Sequence, residues 1–96
     1  MNKVDKIKLN KVYEYKLKDS CAVQFKVVFI GERDIAIWIA PSVYCIVFMK
    51  QDLKKKFESD DLEYLIEIPK GEIEYDFENA MFLDDIEESP NTEWVL

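Results

Sequence analysis

The strongest indication of the fold is in residues 22–49, AVQFKVVFIGERDIAIWIAPSVYCIVFM. Three segments within it, residues 22–30, 35–40 and 43–49, are rich in Val, Ile and aromatic residues, and residues typical of turns separate them. Because β-branched and aromatic side chains favour strands, whereas Gly, Pro, Asp and Ser favour turns, the stretch predicts three consecutive strands. The first turn, residues 31–34, has the length of a hairpin connection.

The second and third of these segments lack a polar face. Residues 35–40 and 43–49 carry apolar side chains at odd and at even positions, whereas Gln24 and Lys26 give the first segment one partly polar face. Strands that are apolar on both faces are usually covered on both sides. In a chain this short, we expect a closed barrel, a packed helix or a second copy of the chain to provide the cover. This pattern is the main indication of oligomerisation.

The flanking segments add strands and one helix. Residues 12–18 alternate apolar and polar side chains, which predicts a half-buried strand, and residues 3–11 are either an edge strand or a loosely held arm. Residues 50–59 predict a short helix, because Leu53 and Phe57 lie four positions apart and share one helix face. A single helix among several strands is typical of a small α+β domain.

A second hairpin is predicted after the helix. Residues 62–68 and 72–77 both alternate apolar and charged side chains, and the turn-forming residues 69–71 (Pro-Lys-Gly) lie between them. Pairing of consecutive strands is the simplest connection. The predicted fold is therefore mainly β (α+β), a small antiparallel sheet or partly open barrel of about five to six strands with one short helix near residues 50–59.

The chain is predicted to be one domain followed by an acidic tail. It has 96 residues, of which 49% are hydrophobic, and this is enough for one core. Residues 1–83 form the single β-rich domain, and residues 84–96 form an acidic tail that ends in apolar Trp94, Val95 and Leu96. Those three residues either dock back on the domain or serve as a short recognition tail.

We expect a cytoplasmic protein that does not bind membranes. Residues 1–11 are rich in lysine, but no apolar segment follows them as in a signal peptide. The longest nearly uncharged stretch, residues 35–49, contains Pro41 and is too short to span a bilayer comfortably. Two cysteines do not make a disulfide framework, which indicates a reducing compartment. Cys45 is predicted in the core and Cys21 at the surface, and a bond between them remains open.

The composition weakens several kinds of chemistry. Without histidine, the chain has no Ser-His or Cys-His pair and lacks the residue of most zinc sites, and its two glycines form no phosphate-binding loop. Asp84, Asp85, Glu87 and Glu88 offer oxygens to a hard cation, but spacing alone is a weak basis for a metal site. We therefore predict a protein that is not an enzyme and has no cofactor and no metal.

The net charge of −7 is divided unevenly along the chain. Residues 1–57 hold 12 Lys and Arg against 6 Asp and Glu, whereas residues 58–96 hold one Lys against 14 Asp and Glu. An acidic chain is a poor candidate for direct binding to nucleic acid, but an acidic region can attract a basic partner. The division therefore carries information about partners rather than about the fold.

The acidic residues of the predicted second hairpin share one face. If the even-numbered side chains of residues 62–68, Ile66 among them, point into the core, the outer face carries Leu65, six carboxylates and no basic residue. These carboxylates belong to Glu63, Glu67, Glu72, Glu74, Asp76 and Glu78. Residues two apart on a strand are separated by about 6.6 Å, a spacing that could imitate the charges of a nucleic-acid backbone. The competing interpretation is that a charged outer face only keeps a small β protein soluble.

Two hypotheses on function follow from these patterns. The leading one is a non-catalytic protein-binding module, an inhibitor or antidote whose acidic hairpin face docks on the basic surface of a nucleic-acid-handling enzyme or a toxin. The alternative is a homo-oligomeric structural or scaffolding protein, for example a homodimer, that associates through its two-sided apolar strands. The charge division has a third explanation, in which the acidic hairpin neutralises the lysine-rich half within one chain or across a dimer.

Overall fold

Seven strands and one α-helix make up the protein in a computed structural model that describes residues 3–42, 44–75, 77 and 89–96. In chain order the elements are β1 Lys6–Lys8, β2 Val12–Leu17, β3 Val23–Ile30, β4 Asp34–Ile39, β5 Cys45–Met49, α1 Lys50–Phe57, β6 Leu62–Glu67, a 3₁₀ helix Lys70–Glu72, and β7 Glu93–Val95. No helix in these ranges is long and apolar enough to cross a membrane. The mainly β fold predicted from the sequence is confirmed.

The strands form two antiparallel sheets. The larger has five strands in the order β5-β4-β3-β2-β6, and β1 pairs with β7 in the smaller. The strands β2 to β5 pair in sequence order, as predicted, because short turns join them. β6 instead pairs with β2 at the far side of the larger sheet, which does not close into a barrel.

The main core lies between α1 and one face of the larger sheet, which we call the helix face. Phe25 of β3 is fully buried there, and its ring centre lies 5.8 Å from that of Tyr13 and 6.2 Å from that of Phe57. Leu53 and Phe57 are the buried residues of α1, as the sequence predicts. Trp94 of β7 packs into the same core. The apolar C-terminus therefore docks on the domain, one of the two predicted alternatives.

A second, smaller core lies on the other face of the larger sheet. We call this the crossing face, because the chain after β6 packs over it. The ring of Phe77 meets that of Trp38 edge-on with 5.0 Å between their centres, and Ile68 and Ile73 pack against the same cluster. Trp38 is buried in this second core. The apolar crossing side of β4 is thus covered by the chain's own later segment.

The prediction of a second hairpin is wrong. Its second strand, residues 72–77, is not formed: Lys70–Glu72 is a 3₁₀ helix, and residues 73–75 and 77 lie outside any strand. An alternating pattern fixes which side chains are apolar, but not which surface they cover. An isolated two-stranded ribbon buries little apolar surface, whereas packing on the crossing face removes Ile73 and its apolar neighbours from water.

The predicted orientation of β6 is also wrong. Leu65 is fully buried, whereas Ile66 is 37% exposed, the reverse of the prediction. A register shift between β2 and β6 beside Lys16 breaks the regular alternation of the strand. Because of this bulge, Leu62 and Leu65, three residues apart, both pack into the main core.

The two cysteines are not bonded to each other. Cys21 is exposed and Cys45 is partly buried, and both are free thiols. Cys45 packs beside the second core, where burial raises the pKa of its thiol. The disulfide that the sequence leaves open is therefore not formed.

Candidate functional site

The predicted binding carboxylates do not lie on two paired strands. Glu63 and Glu67 lie on β6, Glu72 ends the 3₁₀ helix, Glu74 follows it, and all four are exposed. An even row of carboxylates on one hairpin face is therefore absent from the part of the chain that the structure describes. Outside that part lie Asp76 and Glu78, and also Asp84, Asp85, Glu87 and Glu88.

The four carboxylates that the structure describes differ in whether a nearby cation neutralises their charge. Glu63 forms an ion pair with Lys16 of β2, across the pairing of β2 with β6. Among the described residues, Glu67, Glu72 and Glu74 have no such cationic partner. Exposed carboxylates without a partner are free to contribute to the attraction of a basic surface.

A polar cluster on the crossing face fixes the ring of Tyr64. The Tyr64 hydroxyl donates to Oε2 of Glu14 at 2.6 Å, and Nε2 of Gln24 donates to Oε1 of the same carboxylate at 2.9 Å. The hydrogen bond to Glu14, with burial and the charges of Glu14 and Glu63, raises the pKa of Tyr64 to about 12. The cluster joins β2, β3 and β6, so we assign it a structural role.

The Tyr64 cluster predicts a loss of stability at alkaline pH. Since the pKa of Tyr64 is about 12 in the folded chain and 10.0 for an ordinary tyrosine, the folded state keeps the proton longer. The stabilisation is complete below pH 10 and disappears as the pH rises towards 12. As the pH rises from 10 to 12, the midpoint of thermal unfolding should fall less for Tyr64→Phe than for the wild-type protein. Identical pH profiles for the two proteins would contradict the assignment.

An open cleft of about 520 Å³ lies at the crossing face. Lys11, Lys26, Lys70 and Glu67 contribute charges to its wall. The remainder of the lining is Asn10, Val12, Ile68, Ile73, Tyr75 and Phe77. Its volume lies in the range of small-molecule sites, and its lysines could hold an anionic group. Neither cysteine belongs to this lining, and the described residues contain no group of three or more potential metal ligands.

The most unusual surface is the free edge of the larger sheet at β5. β5 pairs with β4 on one side and is the last strand of that sheet. Its side chains are exposed to an extent unusual for apolar residues: Ile46 is 42%, Val47 67% and Met49 47% exposed. No residue from 44 to 49 is charged. Natural sheets usually protect an edge with charges, proline, a bulge or a covering loop.

The opposite edge of the same sheet is protected. β6 carries Glu63 and Glu67, and the N-terminal segment lies against it, where Val4 N–H donates to the carbonyl of Leu65 at 2.9 Å. Lys3 also forms a bridge to Leu65. The contrast between the two edges indicates that the exposure of β5 is a specific feature of this protein.

The backbone polar groups of β5 divide into two sets. Lys50 N–H donates to the carbonyl of Arg33 at 2.8 Å, just beyond the paired residues Met49 and Asp34. Hydrogen-bonded pairs alternate along an antiparallel ladder, so Ile46 and Phe48 also direct their backbone groups towards β4. The backbone N–H and C=O groups of Cys45 and Val47 and the N–H of Met49 therefore point to the free edge, whereas the C=O of Met49, at the N-terminal cap of α1, accepts a hydrogen bond from the first turn of the helix. The described residues provide no partner for the outward groups.

Sequence reasoning found the signal of this edge but not its place in the sheet. The absence of a polar face in residues 43–49 marks β5 as unusual, and neither a closed barrel nor the described segments cover Ile46, Val47 and Met49, which leaves a second copy among the expected kinds of cover. β4 is covered on both faces, by the main core and by the segment that packs over Trp38, whereas Val47 and Met49 of β5 are exposed on the crossing face. Which strand lies under that segment depends on strand order, which the local pattern does not contain.

The surfaces of the described residues are the features of this protein that bear on its function. Comparison of the chain with known protein families, with curated proteins and with solved structures finds no match. The described residues offer an acidic surface, a cleft with lysines and one open sheet edge. Of these, the open edge presents a row of outward backbone groups that serve as a template for an added strand.

Proposed function

We propose that this protein is a non-catalytic protein-binding module that receives a strand of its partner at the edge of β5. The observation that carries the proposal is an uncharged edge with Ile46, Val47 and Met49 exposed and with backbone groups directed outwards. Strand addition satisfies such groups through main-chain hydrogen bonds, while side chains that alternate along the strand supply specificity. The same contact also removes exposed apolar surface from water.

A role in binding agrees better with the chain's chemistry than a role in catalysis. The sequence has no histidine, and the walls of the cleft contain no cysteine. Lysine and tyrosine in the cleft supply charge and apolar contact without an evident nucleophile and base. We assign the association to the cytoplasm, because two free thiols suit a reducing compartment.

A second candidate is an inhibitor or antidote that docks its acidic surface on a basic partner. It is favoured by Glu67, Glu72 and Glu74, which are exposed and have no cationic partner among the described residues. Charge of this kind increases the rate of association and makes binding depend on salt. We do not extend this candidate to mimicry of nucleic acid, since that requires the hairpin row.

Val47→Lys is expected to weaken partner binding by roughly tenfold or more, because strand addition would bury an ammonium group beside an apolar contact. The matched control is Val95→Lys on β7, since Val47 is 67% and Val95 is 66% exposed. Quantitative pull-down from a lysate of the source cells, with tagged wild-type protein and both variants, measures the effect. Both variants should keep the wild-type circular dichroism spectrum, because neither position is buried within the chain.

A third variant separates the two candidates. Glu67→Lys, Glu72→Lys and Glu74→Lys are combined in one chain, which leaves the β5 edge intact. If this variant loses the partner while Val47→Lys keeps it, strand addition is contradicted and the acidic surface is the binding site. If Val47→Lys loses the partner and the acidic variant keeps it, the edge is the binding site.

A further inference from the structure

We propose that the strand added at β5 is β5 of a second copy of this chain, antiparallel and with the two-fold axis at Val47. This inference rests on the proposed function and names its partner. Two five-stranded sheets would then become one continuous sheet across the dimer. The contact would be isologous, so the same residues of both copies form it.

The spacing of the outward backbone groups fits such a pairing. Cys45 and Val47 direct both their N–H and C=O groups outwards and Met49 directs its N–H outwards, and the three residues lie symmetrically about Val47. A two-fold axis there places Val47 opposite Val47 of the second copy, and Cys45 opposite Met49 of the second copy. The Val47 pair forms two backbone hydrogen bonds, and each Met49 N–H donates to the C=O of Cys45 in the other copy, so the contact forms about four backbone hydrogen bonds.

The side chains are compatible with the same register. On the crossing side of the sheet, Val47, which is 67% exposed, would pack against Val47 of the second copy, and Met49, which is 47% exposed, against Cys45 of the second copy. Ile46 would lie opposite Phe48 of the second copy on the helix side. No charged residue lies between positions 44 and 49, so the pairing places no like charges opposite each other.

The second edge of the sheet favours a second copy over an unrelated partner. An uncharged open edge on a free monomer is a site for uncontrolled pairing. Because the N-terminal segment and the carboxylates of Glu63 and Glu67 protect the β6 edge, β5 is the open edge within the described part of the sheet. Pairing β5 with itself consumes both open edges and stops at a dimer. A protein waiting for another partner would leave this edge exposed.

Opposite charges at position 47 test the axis directly. Sedimentation velocity over a concentration series is measured for the wild type, for Val47→Lys, for Val47→Glu and for an equimolar mixture of the two variants. We expect a wild-type dimer, and dimerisation weakened by roughly tenfold or more in each variant alone, since like charges meet at the axis. The mixture should recover the dimer at low salt and lose it as salt is added. Val95→Lys should dimerise like the wild type.

Cysteine cross-linking tests the register without adding charge. In a chain with Cys21→Ala and Cys45→Ala, Val47→Cys should form an intermolecular disulfide on oxidation. Facing Cα atoms of a hydrogen-bonded pair are about 5.5 Å apart, within the disulfide range of roughly 4.4–6.8 Å. The neighbouring substitution Ile46→Cys should cross-link much less, because position 46 faces position 48 of the second copy.

The outcomes that overturn the inference are separate from those that overturn the proposed function. A wild type that stays monomeric at the highest concentration excludes the second copy, and the pull-down with Val47→Lys still decides whether the edge binds another protein. A dimer that Val47→Lys leaves unchanged excludes this edge from the dimer contact. A dimer that both variants break and their mixture does not restore excludes the axis at Val47.

Discussion

Replacing Phe25 with alanine is expected to lower the free energy of unfolding by about 3–5 kcal/mol, the range for large aromatic side chains removed from a packed core. Phe25 is 0% exposed, and its ring contacts those of Tyr13, Tyr15 and Phe57. Phe25 lies on β3, and its ring packs between aromatic rings of β2 and of α1. The substitution therefore removes contacts to both elements. Neighbours in a close-packed interior fill such a cavity only in part. Urea unfolding followed by circular dichroism measures the loss.

The matched control is Phe29→Ala on the same strand. Phe29 is only partly buried, so we expect a loss below about 2 kcal/mol. Because a domain of this size is stable by only about 5–15 kcal/mol, Phe25→Leu provides a milder variant if Phe25→Ala does not fold. Equal losses from Phe25→Ala and Phe29→Ala would contradict the central position of Phe25 in the main core.

Leu65→Ala and Ile66→Ala are expected to differ strongly although the residues are neighbours on β6. Leu65 is 0% exposed and packs into the main core, so its truncation should cost about 2–5 kcal/mol. Ile66 is 37% exposed, and its truncation should cost less than about 2 kcal/mol. The difference arises because only Leu65 leaves an enclosed cavity.

The same pair distinguishes the observed orientation of β6 from the one that its alternating pattern predicts. The two proteins are compared by urea unfolding under one set of conditions, with the slope of the transition as a check on cooperativity. A larger loss for Ile66→Ala than for Leu65→Ala would restore the predicted orientation. It would also return Leu65 to the surface that carries Glu63 and Glu67.

Much of the fold could be predicted because short-range pattern and turn chemistry agree from residue 12 to residue 57. The strands β2 to β5 lie where the alternating or wholly apolar segments predict them, and α1 begins after β5 as expected. Leu53 and Phe57 face the core because a helix brings residues four apart to one side. In this region each strand pairs with the next one, so the pairing needs little information from distant parts of the chain.

The candidate site was predicted less well, because it depends on pairing between distant segments. Glu63 and Glu67 are exposed as expected, but the partner strand that would align them with Glu72 and Glu74 is not formed. The turn-forming residues before Glu72 close a 3₁₀ helix in place of a hairpin. What decides between these conformations is the apolar surface around Trp38, which the following residues cover.

The mainly β class, the positions of the central strands and helix, and the unusual apolar character of residues 43–49 can be predicted from the amino-acid sequence alone. These properties follow from side-chain periodicity and turn chemistry within a few residues. The pairing of β6 with β2, the cover of Trp38 by the next segment, and the place of β5 at the edge of the described sheet depend on the tertiary structure. Those outcomes depend on which apolar surfaces from distant parts of the chain bury each other. The β5 edge is exposed because of the order of strands in the sheet rather than because of any local pattern.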